Sequence, residues 1–511
     1  MSRPIEIGVV GGGASAVCLL DALAQADSVP GSVTIFEPSE ELWRGRPFQS
    51  DVDVIRVNAP PEEMSVRFGD TAHFERWLVA RDLMTGSDAD ELDSLSGIRF
   101  VPRARFGEYL EQSAHAALLR LLERGWRLDL IRERVDSAVP AGNGVTLTTS
   151  AGTHVAVDSA VLCVGGGRPA DTYSLAGAPG YLPDPYPVSR NLAAIDSDSD
   201  VDVIGSGLTG VDVVVALAAC GHRGRIRLLS RSGILPCVRQ RTAHYTLRQF
   251  TPERFRATAS RAETITLAEL IGIMREELIG AGEDLSSILA EITALERESP
   301  GERLRRNIAE IDSSSLALRI LQRAVPDTGP DVWPLLPEWE KDDLLRLHYR
   351  TMMSLCCPMP PCSATTLLAL IDSGQLEVVS GISSIEALAS GGFAVAAADG
   401  RHRADVVVNG VNVPTHKISA EAEPLVTSLV AAGVAERHPR GGTRVERATS
   451  QLMAGGLANP RLYALGDLAA GSLFFTFGIP SLVDRAYDIV SALLNNASTG
   501  SPRADAALQT V

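Results

Sequence analysis

The sequence predicts an α/β protein built from two parallel-sheet units and a helical insertion, on three observations. A strand, a glycine-rich turn and a helix follow one another near the N-terminus, and the same succession returns at Val201. Each succession is followed much later by a hairpin and a buried strand that stops at glycine. A charge-rich stretch with helical periodicity interrupts the second unit between Gln249 and Lys341. At 511 residues the chain is too long for one compact core, and roughly 150 residues per domain leaves room for two to four units.

The first unit opens with Ile5 to Val10, a run apolar but for Glu6 that reads as a buried parallel strand. Gly11-Gly12-Gly13-Ala14-Ser15-Ala16 follows directly, with a helix from Val17 to Ala24 behind it. Gly11 permits the tight turn, Gly13 lets a pyrophosphate approach the backbone, and Ala16 allows the helix to pack closely on the strand. Ala14 and Ser15 place the helix N-terminus at the phosphate charge. The next strand, Val33 to Phe36, ends in Glu37, whose carboxylate can accept hydrogen bonds from ribose hydroxyls. Together these elements predict a Rossmann-like dinucleotide site rather than a glycine-rich surface turn.

The second unit repeats the pattern. Val201 to Ile204 is the strand, Gly205-Ser206-Gly207-Leu208-Thr209-Gly210 the turn, and Val211 to Leu217 the helix. The following strand, Ile226 to Leu229, ends in Ser230-Arg231. Arg231 stands 26 residues after Gly205, as Glu37 stands 26 after Gly11, so opposite charges occupy the position that reads the ribose. An acid suits a free 2′-hydroxyl, whereas arginine suits the 2′-phosphate of NADP through forked, charge-assisted hydrogen bonds. The alternative for Arg231 is a solvated turn residue.

Two hairpins close the units. Val145 to Thr149 and His154 to Val157 lead into Ala160 to Val164 and Gly165, and Phe393 to Ala397 with Arg403 to Asp405 leads into Val406 to Asn412. The repeat divides the chain into residues 1–195 and 413–511, a first domain split in sequence, and residues 196–412, a second domain inserted into it. Near the C-terminus Arg461 to Leu465 is a strand ending in Gly466-Asp467. Phe474-Phe475-Thr476-Phe477, Gly478-Ile479-Pro480 and an apolar helix from Ser481 to Leu494 come next, and the tail from Asn495 is expected to fray. A carboxylate at a strand end, beside a glycine and a helix N-terminus, can hold a polyol hydroxyl near a flavin.

The insertion, about 250–350, carries apolar residues at helical spacing over Glu263 to Ile279, Leu285 to Glu296 and Arg303 to Val325. The segment from Pro326 to Pro337 is expected to break that run. Its charges read as a solvated helix surface, and the insertion either caps a pocket or forms a face for a homo-oligomer.

Composition excludes several classes. Lys and Arg number 47 against 63 Asp and Glu, and a net charge of −16 with no local basic patch repels nucleic acid and anionic membranes. No apolar stretch approaches the ~20 residues that cross a bilayer, and the N-terminus lacks a basic leader, so a soluble cytoplasmic chain is expected. No His-Glu-x-x-His or Cys-x-x-Cys spacing suggests a metal. Cys357 and Cys362 have four residues between them, yet three prolines in those positions exclude the helix on which a flavin-linked dithiol would sit. Cys18, Cys163 and Cys220 read as small core residues.

With these motifs in place the sequence resembles the two-dinucleotide-binding-domain flavoproteins, in the branch related to amine and amino-acid N-hydroxylating monooxygenases. Local stretches carry the resemblance: Gly45-Arg46-Pro47-Phe48 leading to Val57-Asn58-Ala59-Pro60 and Met64-Ser65, His73-Phe74 with Trp77-Leu78, and Val101-Pro102-Arg103 with Phe106-Gly107-Glu108-Tyr109-Leu110. Gly205 to Asp212, continuing through Gly221-His222-Arg223-Gly224 to Ser230-Arg231 and Pro236, is the most specific. The resemblance implies FAD and NADPH as cofactors and oxygen plus a small amine or amino acid as substrates, with N-hydroxylation through a C4a-hydroperoxyflavin. It implies that the loop from Asn58 to Met64 lies against the isoalloxazine and that Asp467 holds the ribityl chain. It further implies that Gly478-Ile479 approach the pyrimidine end and that Arg103 belongs with the FAD residues. The chain departs from the family at His348-Tyr349-Arg350-Thr351-Met352-Met353-Ser354-Leu355-Cys356-Cys357-Pro358, where relatives often carry arginine and histidine just after the helical insertion; the departure implies either a different substrate or a segment that only packs, so the relatives' substrates do not transfer here. An oxidoreductase that inserts no oxygen and a non-catalytic flavin redox sensor remain the alternatives.

Overall fold

The computed structural model describes residues 4–83, 92–411 and 417–499. Two twisted sheets organise it. The first has six strands in the order Gln451–Ala454, Leu457–Ala464, Ser159–Leu162, Glu6–Val10, Ser32–Phe36 and Arg127–Ile131. All pair in parallel except Gln451–Ala454, so strands from both ends of the chain share one sheet. The second has five parallel strands in the order Leu376–Val379, Ile226–Leu229, Val201–Ile204, Val406–Asn409 and Tyr181–Leu182. The central strand of each unit, Glu6–Val10 in the first and Val201–Ile204 in the second, is almost wholly buried, as a parallel strand covered on both faces must be, and the one charge inside the second, Asp202, is paired with Arg227 at 3.1 Å and His402 at 2.7 Å.

Tyr181–Leu182 precedes residue 195 yet forms an edge of the second sheet, so the chain has already crossed to the second unit before the division expected at 195/196. The division expected after Asn412 lies outside the described residues. Each sheet carries its hairpin as a separate three-stranded antiparallel sheet, formed by Val135–Ala141, Gly144–Thr149 and His154–Val157 in the first unit and by Ser384–Ala387, Phe393–Ala397 and Gly400–Ala404 in the second.

The helix Ala14–Gln25 buries nine consecutive residues from Ala16 to Ala24 because it is covered by both Arg103–Glu123 and Ile479–Thr499. That last helix continues past Asn495, where fraying was expected. Asn496 Nδ2 donates to the Pro460 carbonyl at 3.2 Å and to Tyr463 Oη at 3.0 Å, which ties the end down. Residues 500–511 lie outside the described residues.

The insertion has its own core, in which Phe250, Phe255, Leu278 and Ile320 are buried together. Thr266 and Ser299 start two of its helices with reciprocal capping boxes to Glu269 and Glu302. Two expectations are corrected here. The run from Arg303 to Val325 is two helices, Pro300–Ala309 and Ala317–Val332, and the second passes through Pro326 and Pro330 instead of breaking there. Interior proline costs ~3 kcal/mol, but this turn buries Thr328, Pro330 and Asp331, and Asp331 pairs with Arg447 at 2.6 Å and Arg256 at 3.3 Å. Tertiary anchoring outweighs the backbone penalty.

The prolines around Cys362 behave differently from the expectation as well. Pro361 occupies the first turn of Pro361–Asp372, where its missing N–H costs nothing, so Cys362 stands on a helix while Cys357 ends the preceding one. All seven cysteines are free thiols. Cys18 and Cys163 are buried as expected, whereas Cys220 is exposed because it terminates Leu208–Ala219 at the surface.

Candidate functional site

Both glycine turns sit at the switch point of their sheets, where strand order reverses and ligands bind in open α/β folds. Gly11 has φ 107° and Gly205 φ 105°, a left-handed conformation that favours glycine. A Cβ on Gly11 would stand 2.5 Å from the Cys163 carbonyl oxygen, and one on Gly205 3.0 Å from that of Gly410. Each turn is therefore pressed against the chain leaving the strand across the switch point. By contrast Gly13 has only the Gly45 Cα at 3.7 Å, and Gly207 has nothing within 4 Å, so both face open space. They also cap Ala14–Gln25 and Leu208–Ala219 without any side-chain acceptor, which leaves first-turn N–H groups free for an anion. These two cradles fit two dinucleotides.

The cradles open on one continuous cavity of about 2720 Å³. On the first unit it is lined by Gly11, Gly13, Ala14, Ser15, Glu37, Asn58, Met64 and Arg103, and from the C-terminal segment by Gly466, Asp467, Gly478 and Ile479. On the second it is lined by Gly205, Gly207, Leu208, Thr209, Ser230 and Arg231. Ala16 and Gly210 do not line it. Ala16 is fully buried, and a Cβ on Gly210 would meet the Gly205 carbonyl at 2.2 Å, so both serve helix-to-strand packing.

Glu37 accepts from the Gly12 and Ser39 backbone N–H groups, each at 2.7 Å, which pins its carboxylate at the turn. Asp467 opens a short helical turn after Gly466 and lines the cavity, to which it is exposed. Burial pushes its carboxyl up from the usual range, and the Gly166 backbone N–H draws it part of the way back. Asn58 Nδ2 donates across to the Pro358 carbonyl at 3.3 Å, tying the first unit's loop to the second unit. The Arg103 guanidinium is committed to Asp212 and Tyr186. The Arg231 side chain is exposed and makes no ion pair among the described residues.

The insertion supplies the remaining wall, with Gln322, Arg323, Asp327, Tyr349, Arg350 and Met353. It docks on the C-terminal segment through Trp333, whose ring stacks on Phe474 at 4.6 Å and whose Nε1 donates to the Gly471 carbonyl at 3.1 Å. Sequence reasoning missed the two acids of this region. Burial raises Asp327 and Asp484 each to about 6, against the opposing pull of Arg323 and of Arg485 and Arg256. It also missed Thr476, whose buried hydroxyl lines the cavity without a hydrogen-bond partner among the described residues. No periodicity marks these positions, because only the folded contact of insertion and C-terminal helix places them on one wall.

Residues 8–167 match the model of a family described as FAD-NAD(P)-binding. No curated protein sequence matches the chain. Among solved structures, the ornithine hydroxylase PvdA from Pseudomonas aeruginosa aligns with TM-score 0.58 over 96% of this chain and 99% of its own at 13% identity. The cadaverine monooxygenase DfoA from Erwinia amylovora, solved with FAD bound, aligns with TM-score 0.60 over 97% of this chain and 95% of its own at 12% identity. L-lysine 6-monooxygenase from Pseudomonas syringae aligns with TM-score 0.57 over 96% and 99% at 15% identity. The fold is that of these amine monooxygenases. Both dinucleotide units and the helical insertion fall within the aligned span, since hardly any of either chain lies outside it. No described helix is long and apolar enough to cross a membrane.

Proposed function

We propose that the chain is an FAD-dependent, NADPH-using monooxygenase that N-hydroxylates a small amine or amino acid. The observation that carries this reading is the single cavity onto which both glycine cradles open, because two dinucleotides held there share one space in which hydride can pass between them. FAD, when bound, supplies the redox chemistry, taking hydride from NADPH and activating oxygen. The chain's own residues bind, orient and exclude water. The N-terminus of Ala14–Gln25 receives the FAD pyrophosphate, Glu37 a ribose hydroxyl, and Asp467 the ribityl chain. The N-terminus of Leu208–Ala219 receives the NADPH pyrophosphate, with Ser230 and Arg231 at the 2′-phosphate. Asn58, Met64, Gly478 and Ile479 enclose the isoalloxazine.

Asp327 and Asp484, each at about 6, are ionised at neutral pH and near enough to it to accept a proton from a substrate ammonium. The insertion contributes Gln322, Arg323, Asp327, Tyr349, Arg350 and Met353 to the same cavity, which favours a small substrate bound between it and the two cradles. The test uses purified protein with bound flavin measured by absorbance, followed by NADPH and oxygen consumption across a panel of amino acids and polyamines. A hydroxylamine product identified by mass supports the reading. NADPH oxidation yielding only peroxide with every amine would point to an oxidoreductase without oxygen insertion, and no turnover at all to a redox sensor.

A further inference from the structure

A buried ionic cluster joins the two units directly behind the second glycine turn. Arg103 opens the helix Arg103–Glu123 of the first unit, and Asp212 lies two residues beyond Gly210 on Leu208–Ala219 of the second. Arg103 Nη1 stands 2.5 Å from Asp212 Oδ2 and donates to Tyr186 Oη at 2.8 Å, and the Tyr186 hydroxyl donates in turn to the same carboxylate oxygen. Nε of Arg103 donates to the Arg56 carbonyl at 3.1 Å. The Arg103 and Asp212 side chains are only 12% and 10% exposed.

The surroundings repeat the same connection. Arg46 forks onto Asp184 at 2.7 and 2.8 Å, and Asp51 accepts from the Val188 and Ser189 backbone N–H groups at 2.7 and 2.8 Å. Ile55 of the first unit is buried in the hydrophobic core of the second, and Val52 and Val54 pack against that core. Arg46, Asp51 and Arg103 thus all reach across to residues 184–189 or to Asp212.

We propose that Arg103, Tyr186 and Asp212 form a positioning clamp that sets the orientation of the NADPH unit against the FAD unit, and that Arg103 serves in this clamp rather than as a ligand of FAD. The proposal rests on the two-cofactor reading above. A buried charge pair has few acceptable geometries: a rotation that parted Arg103 from Asp212 would leave two charges without partners in a low-dielectric interior. The clamp therefore excludes rotated arrangements and holds the two cradles at one separation.

The test compares full-length wild type with Tyr186→Phe, Arg103→Gln and the paired variant Arg103→Met with Asp212→Leu, which leaves no orphaned charge if the single variant fails to fold. Bound FAD, the rate of flavin reduction by saturating NADPH and the reoxidation of dithionite-reduced protein in air are measured. Hydrogen exchange of residues 184–191 and 208–219 is followed in FAD-free protein. The clamp predicts full FAD content, unchanged reoxidation, faster exchange in both segments, and reduction by NADPH slowed by ~10- to 100-fold, the cost of cofactors held about an ångström out of place. Loss of FAD from Arg103→Gln with exchange unchanged would assign Arg103 to the flavin and overturn the clamp. So would a paired variant reduced by NADPH at the wild-type rate. Wild-type protein that takes up no FAD would instead overturn the functional reading, a result distinct from either.

Discussion

Replacing Arg231 by glutamine tests the contact proposed to separate NADPH from NADH. The side chain follows the strand Ile226–Leu229, is exposed on the cavity wall, and has no ion-pair partner among the described residues, so its loss strands no buried carboxylate. Stability should stay within ~0.5 kcal/mol of wild type, as for surface positions without partners. What is lost is one charge-assisted contact to the 2′-phosphate, about 1.5–3 kcal/mol. At about 1.4 kcal/mol per tenfold this raises KM for NADPH by ~10- to 150-fold. KM for NADH, which has no 2′-phosphate, should move less than about twofold. Steady-state oxidation of both nucleotides by the wild type and Arg231→Gln gives the comparison, with flavin content checked so that only active sites are counted. Equal changes for the two nucleotides, or none for either, would refute the phosphate role and leave Arg231 a solvated turn residue.

Other perturbations test separate parts of the site. Asp467→Ala should emerge from gel filtration with much less than one FAD per chain, and a fully flavinated variant would show that this carboxylate does not hold the cofactor. Gly11→Ala forces a Cβ to within 2.5 Å of a backbone oxygen at φ 107°, strain of about 1–3 kcal/mol, so both its melting temperature and its FAD content should fall. Trp333→Ala deletes a buried ring and its bond to Gly471, and should cost about 3–5 kcal/mol, seen first as protease sensitivity within the insertion. Burial holds Asp484 at about 6, above an exposed carboxylate, so the folded chain binds this proton more tightly than the unfolded one. Its contribution to stability is therefore present below ~pH 4 and is lost as pH rises through about 6. Asp484→Asn should raise the melting temperature at about pH 8 and not at about pH 4, and an equal gain at both would contradict the burial argument.

Much of this molecule is legible in its sequence where the determinants are local. The two turns could be read because Gly11 and Gly205 need a left-handed backbone, and only open space at Gly13 and Gly207 admits a phosphate, so residue identity states the geometry directly. The strands Glu6–Val10 and Val201–Ile204 could be read because mostly apolar, β-branched runs leading straight into a glycine turn suit a sheet covered on both faces, although nothing local names Arg227 and His402 as the partners of the buried Asp202. Where neighbours in space override neighbours in sequence, the reading fails. Pro326 and Pro330 mark a helix break by every local rule, yet Ala317–Val332 continues through them because Asp331 must reach Arg447 and Arg256. Cys220 looks like a core residue by its apolar company and is exposed, because the end of a helix turns it outward.

The same distinction sorts the candidate site. Glycines and the acid or arginine at matched offsets concern one unit at a time, and a single unit's sequence contains their logic. The cavity does not belong to one unit. Asp327 lies on the insertion and Asp484 on the C-terminal helix, more than 150 residues apart, and their carboxyl groups rise to about 6 because folding buries them near one another on one wall. Arg103, read from its stretch as a flavin residue, meets Asp212 across 109 positions. Under the proposed clamp, specificity for cofactors is written in short motifs, while the distance between the cofactors is set by buried charges whose partners no local motif can name. Substitutions in the glycine turns should then change what binds, and substitutions at Arg103, Tyr186 and Asp212 should change only how fast bound cofactors react.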